Sequence, residues 1–212
     1  VTITGNVDSG NSYKVVKFDK ANGMTWEQAY KTAMENTSGG SAVNDKYLAT
    51  ITTALENSVA NAQNAGKSEE LFVGGLIVSS KDQQGNTVRK AYWVTGPEGQ
   101  KGTDKVVVGK NNYNGTAFYE AYADCCMGTS GTLNDLYAKW GSGEPNNMGN
   151  KDYANTNKQP YVAVGYGPES KWDDVHNGGG VVGYIQETNK QNSALNIQAG
   201  GAVTIGGDIG NS

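Results

Sequence analysis

The sequence predicts an α+β fold, two helices packed on twisted antiparallel sheets, and three observations lead to it. Two early segments carry apolar residues at helical spacing. Four later ones are short and rich in β-branched and aromatic residues. A long glycine-rich stretch divides the first two of those strands from the last two.

The elements follow in order. Met24 to Asn36 places Trp26, Ala29, Tyr30 and Ala33 on one helical face, with Thr25 as N-cap. Thr53 to Ala65 repeats the pattern through Leu55, Val59 and Ala62, and Gly66 ends it. Leu71–Ile77, Ala91–Thr95, Tyr161–Tyr166 and Val181–Glu187 read as strands. Between Gly96 and Trp140 the chain reads as a long loop holding Val106-Val-Val108 and Phe118-Tyr-Glu-Ala-Tyr122, and loops of that size are usually functional or disordered.

Composition narrows the class. Of 212 residues, 18% are charged and the net charge is -4, with no basic stripe for nucleic acid. No apolar run reaches the length of a membrane span. The chain starts at Val1 without an initiator Met or a signal peptide, and it is read as a secreted or cell-surface piece of a larger exported protein. Val1-Thr-Ile and Gly10-Asn-Ser12 near the start echo Val203-Thr-Ile and Gly210-Asn-Ser212 at the end. Residues 1–12 and 191–212 are therefore expected as flanks, possible stalk repeats, around one domain at 13–190. Cys125 and Cys126 are adjacent. Free thiols are the expectation, with a vicinal or an intermolecular disulfide as alternatives.

The chemistry concentrates in Trp140-Gly-Ser-Gly-Glu144-Pro145-Asn146-Asn147, in Asp152, and in Lys171-Trp172-Asp173-Asp174. Carboxylates and one amide suit Ca2+, which takes about six to eight oxygen ligands in flexible geometry. The lone His176 and the two neighbouring cysteines do not make a usual zinc cage. A cis Glu144–Pro145 bond is expected, since it turns both flanking side chains to the same side of the loop.

These blocks, with Gly23-Met-Thr-Trp26-Glu-Gln-Ala-Tyr30, Tyr47-Leu-Ala-Thr-Ile51, Leu71-Phe-Val-Gly-Gly75, Tyr92-Trp93-Val-Thr-Gly-Pro97 and Gly183-Tyr-Ile-Gln-Glu187, stand in an order that resembles the C-type lectin-like family over most of the chain. The resemblance implies that fold, with a long irregular calcium-binding loop region. It implies calcium ligands at Glu144, Asn146, Asp152, Asp173 and Asp174, with Glu144, Asn146, Asp152 and Asp173 shared between the ion and a sugar diol and His176 as a rim contact. In the family, Glu-Pro-Asn goes with equatorial diols of mannose, glucose, N-acetylglucosamine or fucose type. Three departures stand out. Asp173 replaces the usual Asn. Asn147 and Tyr153 replace acidic residues used for an auxiliary ion, so one ion is expected. Tyr153 and Gln186 occupy places where half-cystines commonly sit.

The leading expectation is a calcium-dependent glycan-binding module of a bacterial surface adhesin, meeting a host or neighbouring-cell glycoprotein. The alternatives are a calcium-stabilised protein-binding module, an ice-binding one, and a structural spacer. No nucleophile and base pair is visible, so no enzyme is expected. Trp140 and Trp172 are read as core or loop anchors, and a stacking aromatic is sought in Tyr113, Tyr153 or His176.

Overall fold

The computed structural model describes residues 11–18, 23–35, 45–64, 67–122, 130–147, 158–167, 169–178 and 180–189. Cys125, Cys126, Asp152, Tyr153 and nearly all of both flanks lie outside them.

Trp26–Glu35 forms α1, with Trp26, Ala29 and Ala33 fully buried on the expected face. Thr25 accepts from the Gln28 amide and Gln28 answers to the Thr25 amide, closing the first turn reciprocally. Ala54–Gln63 forms α2 behind a full capping box of Thr53 and Glu56. Its buried stripe matches the expected one only in part: Val59 packs partly buried against the core, whereas Leu55 is 46% exposed, Ala62 is exposed, and Asn57, Ala60 and the capping Asn64 are buried. The inward positions are fixed by polar ties, because Asn57 Oδ1 accepts from Trp172 Nε1 at 2.8 Å and Asn64 Nδ2 donates to the Glu69 carbonyl at 2.9 Å.

The strands are β1 (Ser12–Lys17), β2 (Lys46–Leu48), β3 (Leu71–Lys81), β4 (Thr87–Trp93), β5 (Asp104–Val108), β6 (Asn111–Tyr122), β7 (Ser130–Thr132), β8 (Tyr161–Tyr166), β9 (Lys171–Val175) and β10 (Gly183–Thr188), with a short α3 at Gly96–Lys101. One path runs β1-β10-β3-β4-β6-β5, and β8 leaves β3 to carry β9. Among the described strands every ladder is antiparallel except β10 with β3, and a single parallel bridge joins Trp140 to Trp172. On β3, Leu71, Val73 and Ile77 enter a core with Trp93, Phe118 and Trp172, while Phe72 and Leu76 enter another with Trp26 and Tyr184. Both faces are covered, which explains why β3 reads as an almost continuous apolar run. Gly74 is required where β3 crosses β2 and α3, since a Cβ there would fall 1.7 Å from Thr95 Oγ1.

The architecture is α+β, as the patterning predicts. The span from Gly96 to Trp140 departs from the expected loop. It contains α3, the β5–β6 hairpin turning at Gly109 with φ 60°, and β7. Twelve-residue β6 pairs with β4, β5 and β7, and its Phe118 stacks on Trp93 at 4.4 Å. The β-branched and aromatic residues Val106, Val107, Val108, Tyr113, Thr116, Phe118, Tyr119 and Tyr122 outweigh the single glycine inside these two strands. Among the described residues no helix is long and apolar enough to cross a membrane.

Candidate metal and ligand site

Two backbone ties bring the site together. Trp172 N donates to Lys139 O and Gly141 N donates to Trp172 O, both at 2.8 Å, so residues 139–141 run alongside β9. Trp172 is fully buried against Trp140, Phe118 and Trp93, so it is an anchor as expected. The chain then turns through Gly143 at φ 87°, and the Glu144–Pro145 bond is cis, as expected. Glu144 and Asn146 share one side of the loop: Asn146 Nδ2 donates to Glu144 Oε1 at 2.8 Å.

Asp174 holds this turn. Its Oδ1 accepts the Asn146 amide at 2.6 Å, and its Oδ2 accepts the Asn147 amide at 2.8 Å and Arg89 Nη1 at 2.7 Å. Asp174 is completely buried and the Arg89 side chain is 5% exposed. Arg89 also donates to Gln159 O at 3.1 Å, and Asn147 Oδ1 accepts from the Lys158 and Gln159 amides. Asn147 sits at φ 52°, a left-handed conformation that Asn tolerates better than most residues.

Glu144, Asp173 and Asp174 bring one carboxylate oxygen each within 4.8 Å of one another. Glu144 Oε2 and Asn146 Oδ1 are buried, and no hydrogen-bond partner reaches either among the described residues. Burial, and then the facing charges of Asp173 and Asp174, push the Glu144 carboxyl well above its usual range. Asp173 is also raised, chiefly by burial. On its other side stands Glu70, pushed up to about 7 by burial and by the contact with Asp173. Glu70, Asp173 and Glu144 thus form a group of neighbouring oxygen acceptors, while Arg89 and the Asn146 and Asn147 amides are directed at Asp174. That donor set fits a hard divalent cation: all its ligands are oxygens, and the two orphaned atoms gain a partner.

The structure therefore brings together Glu144, Asn146, Asp173 and Asp174. Asp152 lies outside the described residues. His176 is exposed, one residue beyond β9. Tyr113 stands instead against Trp26 and Tyr30 and lines a separate cleft of about 260 Å³, away from the acidic row.

Three residues of the site escape the sequence reading. Glu70 lies directly before β3, and only its charge beside an apolar run signals it. Arg89 sits between Val88 and Lys90 in β4, and a buried Arg in an amphipathic strand looks like an exposed one until its partner is known. Tyr166, 41% exposed, is the third. A methyl on Gly141 would fall 2.7 Å from Tyr166 Cδ1 and 3.3 Å from Glu144 Cγ, so this aromatic ring borders the acidic row.

No family model matches the chain, and no characterised protein matches it by sequence. Solved structures do resemble it. The C-type lectin CEL-I from Cucumaria echinata is 17% identical at a TM-score of 0.43, over 84% of this chain and 89% of that one. A structure titled as an EPNH mutant of CEL-I is 19% identical at 0.43, over 85% and 92%. Herring type II antifreeze protein is 13% identical at 0.44, over 85% and 91%. At such identities and with overlays this loose, no conclusion about function passes from those proteins to this chain.

Proposed function

We propose that the chain is a calcium-dependent, C-type lectin-like carbohydrate-binding module of an exported bacterial surface adhesin, and that it takes equatorial vicinal diols of mannose, glucose, N-acetylglucosamine or fucose type. One observation carries the reading: among the described residues Glu144 Oε2 and Asn146 Oδ1, on the Glu-Pro-Asn turn, are buried without a hydrogen-bond partner, and the Glu144 carboxylate clusters with Asp173 and Asp174 of β9. Glu144, Asn146, Asp173 and Asp174 would hold the ion, with Asp152 joining from outside the described residues. When bound, the ion supplies a positive centre on which two neighbouring hydroxyls can place lone pairs.

The chain's own groups do the rest. Ionised Glu144 and Asp173 accept hydroxyl protons, and the Asn146 carboxamide offers both a donor and an acceptor. Tyr166 provides an apolar ring face at the rim, and exposed His176 supplies a polar rim contact. A second reading, a protein ligand, is favoured by one specific feature. Asp173 lies against Glu70, so that side of the site offers acceptors where a sugar hydroxyl also needs a donor.

A broad glycan array, probed with calcium and again with chelator, tests the proposal. Chelator-sensitive binding to mannose-, glucose- or fucose-type glycans is expected. A blank array from a protein that binds calcium in calorimetry would refute the sugar reading and favour the protein ligand. Absence of calcium binding would refute both.

A further inference from the structure

A buried arginine beside acidic side chains needs a reason, because removing a guanidinium from water is costly unless it is paired with a carboxylate and hydrogen-bonded. Arg89 uses its fork on two elements at once, with Asp174 on β9 at 2.7 Å and the Gln159 carbonyl ahead of β8 at 3.1 Å. The same Asp174 oxygen takes the Asn147 amide and the other takes the Asn146 amide. Three donors thus converge on one fully buried carboxylate, and two of them are the backbone of the Glu-Pro-Asn turn. Of the roughly four lone-pair positions on a carboxylate, three are filled by protein. Asn147 closes the circuit, since its Oδ1 holds the amides of Lys158 and Gln159, the residue whose carbonyl Arg89 reaches.

We infer that Arg89 is a positioning residue that serves as a permanent internal cation of the site. It holds Asp174, and through it the Glu144–Asn147 turn, in binding geometry before any metal arrives. This deepens the reading proposed above. Asp174 is then the staple of the loop as well as a ligand beside Glu144, Asn146 and Asp173. Calcium would then switch ligand capture on without having to fold the loop, and chelation would remove ligand binding while leaving the turn in place.

Amide hydrogen exchange on the whole chain in EDTA tests this with no reference to calcium. The Asn146 and Asn147 amides are expected to be protected in the metal-free wild type. In Arg89→Met they should exchange on the order of a hundredfold faster or more, the scale of breaking a buried ion pair. Strand amides remote from the loop should keep most of their protection. Added calcium should restore the two loop amides in Arg89→Met and change them little in the wild type. Arg89→Lys retains the charge but lacks the fork, and it should fall between the two; it also serves if Arg89→Met does not fold. Rapid exchange of Asn146 and Asn147 in the metal-free wild type would overturn the inference. So would a loss spread evenly over all core amides in both variants, because Arg89 would then be a structural residue with no particular hold on the loop. If calorimetry finds no calcium binding while the EDTA results stand, the functional reading fails and the staple survives.

Discussion

Replacing Asp173 with Asn alters charge, hydrogen bonding and protonation at one position, and each effect has an expected size. In the wild type Asp173 stands between two carboxyl groups, Glu70 and Glu144, and both are raised partly by its presence. Asp173→Asn removes that charge. Glu70 should therefore fall from about 7 toward, but not to, its ordinary 4.5, because burial is the larger cause of its shift and remains. The new carboxamide also brings an N–H to position 173, where the ionised carboxylate offers only acceptors. One added hydrogen bond is worth about 0.5–1.5 kcal/mol, a roughly twofold to tenfold gain for a mannose-type monosaccharide. Losing one of several carboxylates should weaken calcium modestly without abolishing its binding. Carboxyl 13C titration by NMR follows Glu70 directly, and calorimetry with methyl mannoside at saturating calcium gives the affinity. A Glu70 pKa that stays near 7 would show that burial alone sets it, and that the Asp173 contact has been overrated. Unchanged sugar affinity with intact calcium binding would refute the argument that position 173 lacks a donor.

The other expectations are more compact. Asp174→Ala should abolish calcium binding and free the turn, since it leaves Arg89 buried and unpaired at a cost of about 3–5 kcal/mol; unchanged calcium affinity by calorimetry would count against it. Calcium uptake near neutral pH should release protons, because Glu144 is raised by burial and by its acidic neighbours, and affinity should decline on acidification; titrations in buffers of different ionisation enthalpy measure the proton count. Away from the site, burial, reinforced by the charges of Glu56 and Glu98, pushes Glu187 up to about 8 from 4.5. The folded state then binds the extra proton, so this contribution to stability is complete below about pH 4.5 and is lost as pH rises toward 8. Glu187→Gln should flatten the urea midpoint across that window.

Much of the site was legible because its signals are local. Glu-Pro-Asn and Trp-Asp-Asp are short and dense in ligand atoms, and glycines at 141 and 143 announce the turn at the first. The first helix was legible for a similar reason, since the spacing of Trp26, Ala29 and Ala33 is a one-dimensional property. What stayed hidden depends on distant pairing. The charge on Arg89 becomes structural only because β4 lies within reach of Asp174, 85 positions away. The β5–β6 hairpin was masked by glycine and asparagine, which mark loops by default although Gly109 is merely its turn. The buried face of α2 was misplaced in part, for a physical reason. Leu55 and Ala62 carry the apolar signal yet face solvent, and Val59 packs partly buried against the core, while Asn57 and Asn64 are held inward by Trp172 Nε1 and by the Glu69 carbonyl.

That last point connects composition to the way the fold is held. Carboxamides occupy the junctions between layers. Asn57 ties α2 to Trp172, Asn64 ties the end of α2 to the approach to β3, and Asn177 accepts the Trp26 amide at 2.7 Å while donating to Glu27, joining the end of β9 to α1. Gln186, at a place where the resembling family commonly carries a half-cystine, donates to Ala33 O at 2.8 Å and so links β10 to α1. A carboxamide can donate and accept at once, which lets one side chain serve two elements. Each such tie adds only about 0.5–1.5 kcal/mol when made, yet about 1–3 kcal/mol is lost when its buried partner is orphaned. The junctions are thus specified by the penalty for misplacement more than by the strength of any bond. The buried carboxamides of the chain are thus in part the means by which helices and sheet find their register.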